Sequence, residues 1–222
     1  MQLSDYSVKL LENFVTINTG ILINKTPDDS ETTQVSTIMP SGVVFAQGVI
    51  PEKFPHTVVL YDLKAFLSTL SGFKDANLEV NDTYLNIVKD KSKAKIIYAN
   101  PNAIVHPVKK FTAPEYVATF DISKEQLAEL LNFSAILSLP NIRFFSKEGT
   151  LFVQAFDKKA PDSCSRYDIS IGTTDKDFDI HIKREYLKML PGEYTVSVMN
   201  VLAEFRNKTN PELYYIVGVD QE

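Results

Sequence analysis

The side chains able to carry chemistry are few and poorly grouped. The three histidines, His56, His106 and His181, lie far apart, with no His-Glu-x-x-His spacing and no serine or cysteine motif beside them. Each reads as a structural residue. The single cysteine, Cys164, sits in the polar stretch Asp162-Ser163-Cys164-Ser165 with no second thiol, which excludes an internal disulfide and fits a reducing cytoplasm. Asp175-Lys176-Asp177-Phe178-Asp179 starts like a calcium loop. However, Ile180 stands where glycine must permit the turn, and Tyr186 where a bidentate glutamate must close the shell. Asp177, Asp179 and His181 alternate instead with Phe178, Ile180 and Ile182, as the wet face of a strand does. The eight glycines form neither GxGxxG nor GxxxxGK[ST]. No enzyme, cofactor or metal site is expected.

Composition narrows the class further. Of 222 residues, 44% are hydrophobic and 23% charged, and no run of about 18 apolar residues exists, so a soluble globular protein without a membrane partner is expected. The opening Met1-Gln2-Leu3-Ser4-Asp5 has neither a basic nor an apolar leader segment, which predicts residence in the cytoplasm. The 23 basic residues face 28 acidic ones, a net charge of −5. Tight sequence-specific DNA binders usually carry a basic excess, so any contact with nucleic acid must come from locally gathered cations.

Local patterning then gives the elements. Ser4 caps a helix over residues 4 to 18 with Leu10, Leu11 and Phe14 on its apolar side. Asp62 caps a short helix striped by Leu63, Phe66, Leu67 and Leu70. Ser123 and Gln126 form a capping box ahead of Leu127, Leu130 and Leu131. A fourth helix is predicted over 183–190, stopped by Pro191-Gly192. Strand-like runs fill the intervals. Residues 100 to 115, with Pro101, Pro107 and Pro114, form a proline-stiffened linker between domains 1–107 and 108–222.

The second half repeats the first. Leu10-Leu11-Glu12-Asn13-Phe14 returns as Glu129-Leu130-Leu131-Asn132-Phe133. Thr57-Val58-Val59-Leu60-Tyr61, leading into the Asp62 helix, returns as Phe178-Asp179-Ile180-His181-Ile182 leading into Lys183; both offsets are about 120 residues. The expected fold class is α+β, with two topologically similar domains of two helix-plus-antiparallel-strand units each. Such short, one-striped helices must lie on one face of the sheets and leave a wall of outer helix faces.

In order along the chain, Leu10 to Ile21, Val59 to Leu67, Ser146-Lys147-Glu148-Gly149-Thr150-Leu151 and Leu187-Lys188-Met189-Leu190-Pro191-Gly192-Glu193-Tyr194 resemble the sliding clamps of T-even-type bacteriophages. That resemblance implies a DNA-clamp fold and a homotrimeric ring around duplex DNA. In it the ring tethers the replicative DNA polymerase as a processivity factor, an ATP-driven clamp loader opens it, and it works in the cytoplasm of the infected bacterial host. It gives the helix wall a partner, hydrated DNA.

The outward cations of the four expected helices are Lys9, Lys64, Lys124, Lys183, Arg184 and Lys188. Asp5, Glu12, Asp62, Glu125, Glu129 and Glu185 balance them, so the fourth helix is the best DNA-facing candidate; Lys91 and Lys93 add a basic loop. The resemblance also implies an apolar pocket for the polymerase's terminal peptide, drawn from Met39, Pro40 and Val43, from Ile104 and Val105 on the linker, and from Tyr214 and Tyr215. The alternative class is a non-enzymatic β-rich viral structural or scaffold protein that oligomerises through strand edges, and a hydrolase with an unread site stands behind it.

Overall fold

The computed structural model describes residues 1–73, 75–108, 115–160 and 165–220. The chain divides into two compact units, Met1–Lys110 and Phe111–Glu222. Cys164 and the end of the linker stretch, residues 109–114, lie outside the described residues.

The first unit runs α1 (Asp5–Ile17), β1 (Ile21–Ile23), β2 (Thr33–Ile38), β3 (Val44–Ile50), β4 (Val58–Leu60), α2 (Leu63–Gly72), β5 (Asn77–Val80), β6 (Tyr84–Lys89) and β7 (Ser92–Ile97). All its strand pairs are antiparallel: β1 with β4, β2 with β3, and β5-β6-β7 in order. Leu10, Leu11 and Phe14 of α1 are completely buried, as are Leu63 of α2 and Val44, Ile50 and Ile87 of the strands, with Phe66 and Leu85 nearly so. Burial of that many large apolar side chains is what holds two short helices that would be marginal alone. The caps fix where they start. Ser4 Oγ accepts from Ser7 N at 3.2 Å, and the carboxylate of Glu52 takes both the Ser4 N–H and the Ser7 hydroxyl. Asp62 Oδ1 accepts from Ala65 N at 2.8 Å.

The second unit runs β8 (Ala118–Ile122), α3 (Lys124–Ile136), β9 (Asn141–Lys147), β10 (Thr150–Phe156), β11 (Tyr167–Thr173), β12 (Asp179–Lys183), β13 (Tyr194–Val198), β14 (Leu202–Asn207) and β15 (Tyr214–Gly218). It holds two antiparallel arrays, β11-β10-β9-β12 and β15-β14-β13-β8. An aromatic cluster binds them. Phe144 of the first array lies 5.8 Å from Phe120 and 5.9 Å from Phe205 of the second, and Phe178 stacks on Phe120 at 5.9 Å. The capping box forms as expected: Gln126 N donates to Ser123 Oγ at 3.1 Å and Ser123 N to Gln126 Oε1 at 2.9 Å. The turn Glu148-Gly149 joins β9 to β10 with φ of 52° and 75°, the left-handed pair that a two-residue hairpin needs. The β10–β11 register shifts where Leu151 faces Gly172 and Phe152 faces Ser170, leaving Ile171 as a bulge.

Two expectations need correction. The fourth helix does not form: Arg184–Tyr186 makes a single 3-10 turn, so three α-helices stand among the described residues. The repeat explains the loss. The position that caps α2 is Asp62; its counterpart is Lys183, which has no side-chain cap bond. Without a cap, and with Pro191-Gly192 close behind, too few residues remain to repay helix nucleation. The second correction is β8, which lies between the expected linker and α3 and was not foreseen. In the first unit its place is taken by one residue, Met1, whose ammonium and carbonyl bond to Leu78 at 2.9 and 2.7 Å.

Candidate nucleic-acid interface

The three helices present their cations singly. Lys9, Lys64 and Lys124 are all exposed, and each has exposed carboxylates close in sequence: Asp5 and Glu12 on α1, Asp62 beside α2, Glu125 and Glu129 on α3. Lys64 and Glu12 line the same 280 Å³ cleft between α1 and α2, with Val15, Leu67, Ser68 and Ser71. Residues three and four apart on a helix are surface neighbours, so Asp5 and Glu12 offset Lys9; Glu12 also meets Lys64 at the cleft, whereas Lys124 has no carboxylate at that spacing on α3. On α3, Glu129 is also taken by Tyr167, whose hydroxyl donates to it at 2.6 Å. That bond is the main reason the phenol is pushed up to about 12.

The cations expected on the fourth helix are distributed differently. Arg184 is half-buried, and its Nη1 donates to Ser134 O at 2.8 Å, tying the turn to the last part of α3. Lys188 is half-buried past that turn. Lys183 is exposed, with its Nζ 5.7 Å from the Tyr186 ring centroid. Lys183 and Arg184 share a 520 Å³ cleft with Pro140, Asn141, Asp157, Lys158, Lys159, Glu185 and Asp220. Two of its cations, Lys158 and Lys159, were not picked from sequence. They sit in the turn after β10, where no periodicity points outward. In the basic loop, Lys91 is at the tip of the β6–β7 hairpin. Lys93 pairs with Glu79 at 3.1 Å and, with Asn86, holds that carboxyl below its usual range; Lys95 lies 3.8 Å over the Tyr84 ring.

The peptide-pocket candidates fall into two groups. In the first unit, Met39, Pro40 and Val43 form the β2–β3 turn, with Met39 N donating to Val44 O at 2.8 Å. Ile104 rests on Gly20, where a Cβ would come 3.0 Å from its Cγ2. Asn18, the buried residue closing α1, joins these parts: its Nδ2 donates to Ile38 O at 3.0 Å and Val105 O at 2.8 Å. Asn18 falls at the end of the helix expected over residues 4 to 18, but its grip on a residue 87 positions away is not local information. Val105 itself is 47% exposed. In the second unit, Tyr214 is half-buried under the Arg206 guanidinium at 4.5 Å. Tyr215 is fully buried in the core, its hydroxyl accepting from Leu190 N at 3.2 Å.

The histidines all have local partners. His56 Nδ1 lies 2.6 Å from Asp82, His106 Nδ1 3.3 Å from Pro107 O, and His181 Nε2 3.2 Å from Asp179 Oδ1. Burial lowers the pKa of His181 despite that carboxylate.

This architecture, short capped helices with paired antiparallel arrays in two repeated units, is the DNA-clamp fold. A. fulgidus PCNA, solved with the C-terminal region of FEN-1 bound, superposes with a TM-score of 0.72 over 97% of this chain and 95% of that one, at 13% identity. Residues 119–218 match the family described as gp45 sliding clamp, C terminal. The sliding clamp of Escherichia phage RB69 is 28% identical over the whole chain and 98% of its own length, and that of Enterobacteria phage T4 is 29% identical over 87% of this chain and 85% of its own. Over most or all of its length the chain is similar to the sliding clamps of T4-like phages.

Proposed function

We propose that three copies of this chain close into a ring around duplex DNA, without chemistry of their own, and tether the replicative polymerase of a phage in the cytoplasm of its bacterial host. An ATP-driven loader opens and closes that ring, and the polymerase's terminal peptide docks beside the linker. The observation that carries the reading is likeness to sliding clamps along the entire chain. A second feature supports the ring. Among the described residues, β7 ends the β5-β6-β7 array and β11 ends the β11-β10-β9-β12 array, each with a strand on one side only. Unpaired edges invite a strand from another chain, and edges carried by different units make a head-to-tail contact, the kind that closes rings.

Light scattering should give about 75 kDa, three times 25.0 kDa. With loader and ATP, the protein should stay on nicked circular DNA and leave linear DNA with free ends. Equal retention on both would refute topological tethering.

A further inference from the structure

We propose that the cleft beside the 3-10 turn of the second unit seats backbone phosphate of the encircled duplex through Lys159 and Lys183, and that the first unit has no counterpart. This rests on the sliding-clamp reading and names where such a clamp touches DNA.

The cleft's charges do not cancel evenly. It carries Lys158, Lys159, Lys183 and Arg184 against Asp157, Glu185 and Asp220. Lys158 Nζ lies 3.5 Å from Asp220 Oδ2. Arg184 is spent on the Ser134 carbonyl. Asp157 Oδ1 accepts the Lys159 backbone N–H at 2.9 Å, which shapes the turn. Lys159 and Lys183 remain, both exposed and neither paired with a carboxylate among the described residues. Four cations against three carboxylates, the exposed Glu185 included, leave one positive charge for a phosphodiester to offset, and two ammonium groups can donate to its oxygens.

The turn that presents Lys159 is anchored. Lys158 N donates to Asn141 Oδ1 at 3.2 Å, Asn141 being buried at the start of β9, and Ala160 N donates to Asp157 O at 3.1 Å. Lys183 is fixed by β12, where it pairs with Asn141. One buried asparagine therefore sets both sides of the cleft.

The repeat supplies the contrast. The β2–β3 turn that corresponds to this one reads Met39-Pro40-Ser41-Gly42-Val43, with no cation, and the counterpart of Lys183 is Asp62. One divergence thus does two things. It leaves the turn without the side-chain cap that α2 has and puts a positive charge where the first copy has a negative one. The cations of α1, α2 and α3 that point outward, Lys9, Lys64 and Lys124, stand singly on their helices.

The test is equilibrium binding of a fluorescent duplex to the intact protein by anisotropy, comparing wild type with Lys159→Ala/Lys183→Ala. For each subunit whose cleft holds the duplex, two lost phosphate contacts should flatten the log–log salt slope by about 1.8, so that between ~50 and ~200 mM salt wild-type affinity falls at least about twelvefold further than the variant's. Lys159→Arg/Lys183→Arg should restore the slope. Light scattering of both variants should give the wild-type mass. An unchanged slope in the alanine variant, with wild type still retained on nicked circles, overturns the cleft while sparing the clamp. Wild type that does not distinguish circles from linear DNA overturns the clamp reading instead.

Discussion

Asn18→Ala should both destabilise the first unit and loosen the linker. Asn18 is 8% exposed and satisfies three backbone groups from three places: it donates to Ile38 O and Val105 O at 3.0 and 2.8 Å and accepts from Gly20 N at 3.1 Å. Removing the amide leaves the Gly20 N–H buried without a partner, a cost of about 1–2 kcal/mol. The two carbonyls lie nearer solvent and can recruit water, so they add about 0.5 kcal/mol each. The total is about 2–3 kcal/mol, or a drop of about 1 M in the urea midpoint for a slope of ~2 kcal/mol per M. Asn18→Asp keeps the acceptor for Gly20 and loses both donors, so it should isolate the linker tether. Amide hydrogen exchange should quicken at residues 104–106 in both variants. Binding of the polymerase's terminal peptide should weaken with it, because Ile104 and Val105 lose their fixed place over Gly20. An Asn18→Ala midpoint within about 0.2 M of wild type, with unchanged exchange at 104–106, would refute the reasoning.

Phe144→Ala should cost about 3–5 kcal/mol in urea unfolding, since Phe144 is completely buried between Phe120 and Phe205; a loss under about 1 kcal/mol would mean that the two arrays do not depend on that ring. Lys183→Asp restores the cap of the first copy and should raise helical circular dichroism by roughly one turn; an unchanged spectrum would show that the missing cap is not what stops the fourth helix. Arg143→Ala should destabilise most at neutral pH. Burial pushes the Asp179 carboxyl up, but hydrogen bonds and charge from Arg143 outweigh it and hold the group below 3.8. A carboxyl with a depressed folded value stabilises above its ordinary value and loses that contribution as pH falls through the folded one. The deficit of Arg143→Ala should therefore shrink below about pH 4, and a gap constant with pH would exclude the ion pair as its source.

The elements that local chemistry decides were legible in the sequence. Ser4, Asp62 and Ser123 start helices because each side chain meets a backbone N–H two or three residues on, and the apolar stripes that follow define the buried sides. The fourth helix misled because Tyr186, Leu187 and Leu190 keep a helix-like spacing while the capping position has become Lys183. Periodicity records which side is apolar, not whether the first turn can be nucleated. The strand β8 escaped notice because its antiparallel mate, β13, lies more than 70 residues away. The interface residues were half legible. Lys9, Lys64 and Lys124 are exposed, but the diversion of Arg184 to Ser134 and the gathering of Lys159 with Lys183 depend on which loops end at the same place. The double tyrosine divides similarly: Tyr215 belongs to the core and Tyr214 lies under Arg206, and no local pattern separates the two.

The bulge at Ile171 restricts which register the free edge of β11 can accept. Only Tyr167 to Ser170 form a regular run on β11; beyond Ile171 the pleat reverses, so each side chain changes face. A neighbouring strand shifted by one residue meets the wrong faces along that run. Shifted by two, it reaches the kink and leaves its own N–H and C=O groups without mates. A strand laid along this edge therefore has one register in which both its side-chain faces and its hydrogen bonds match.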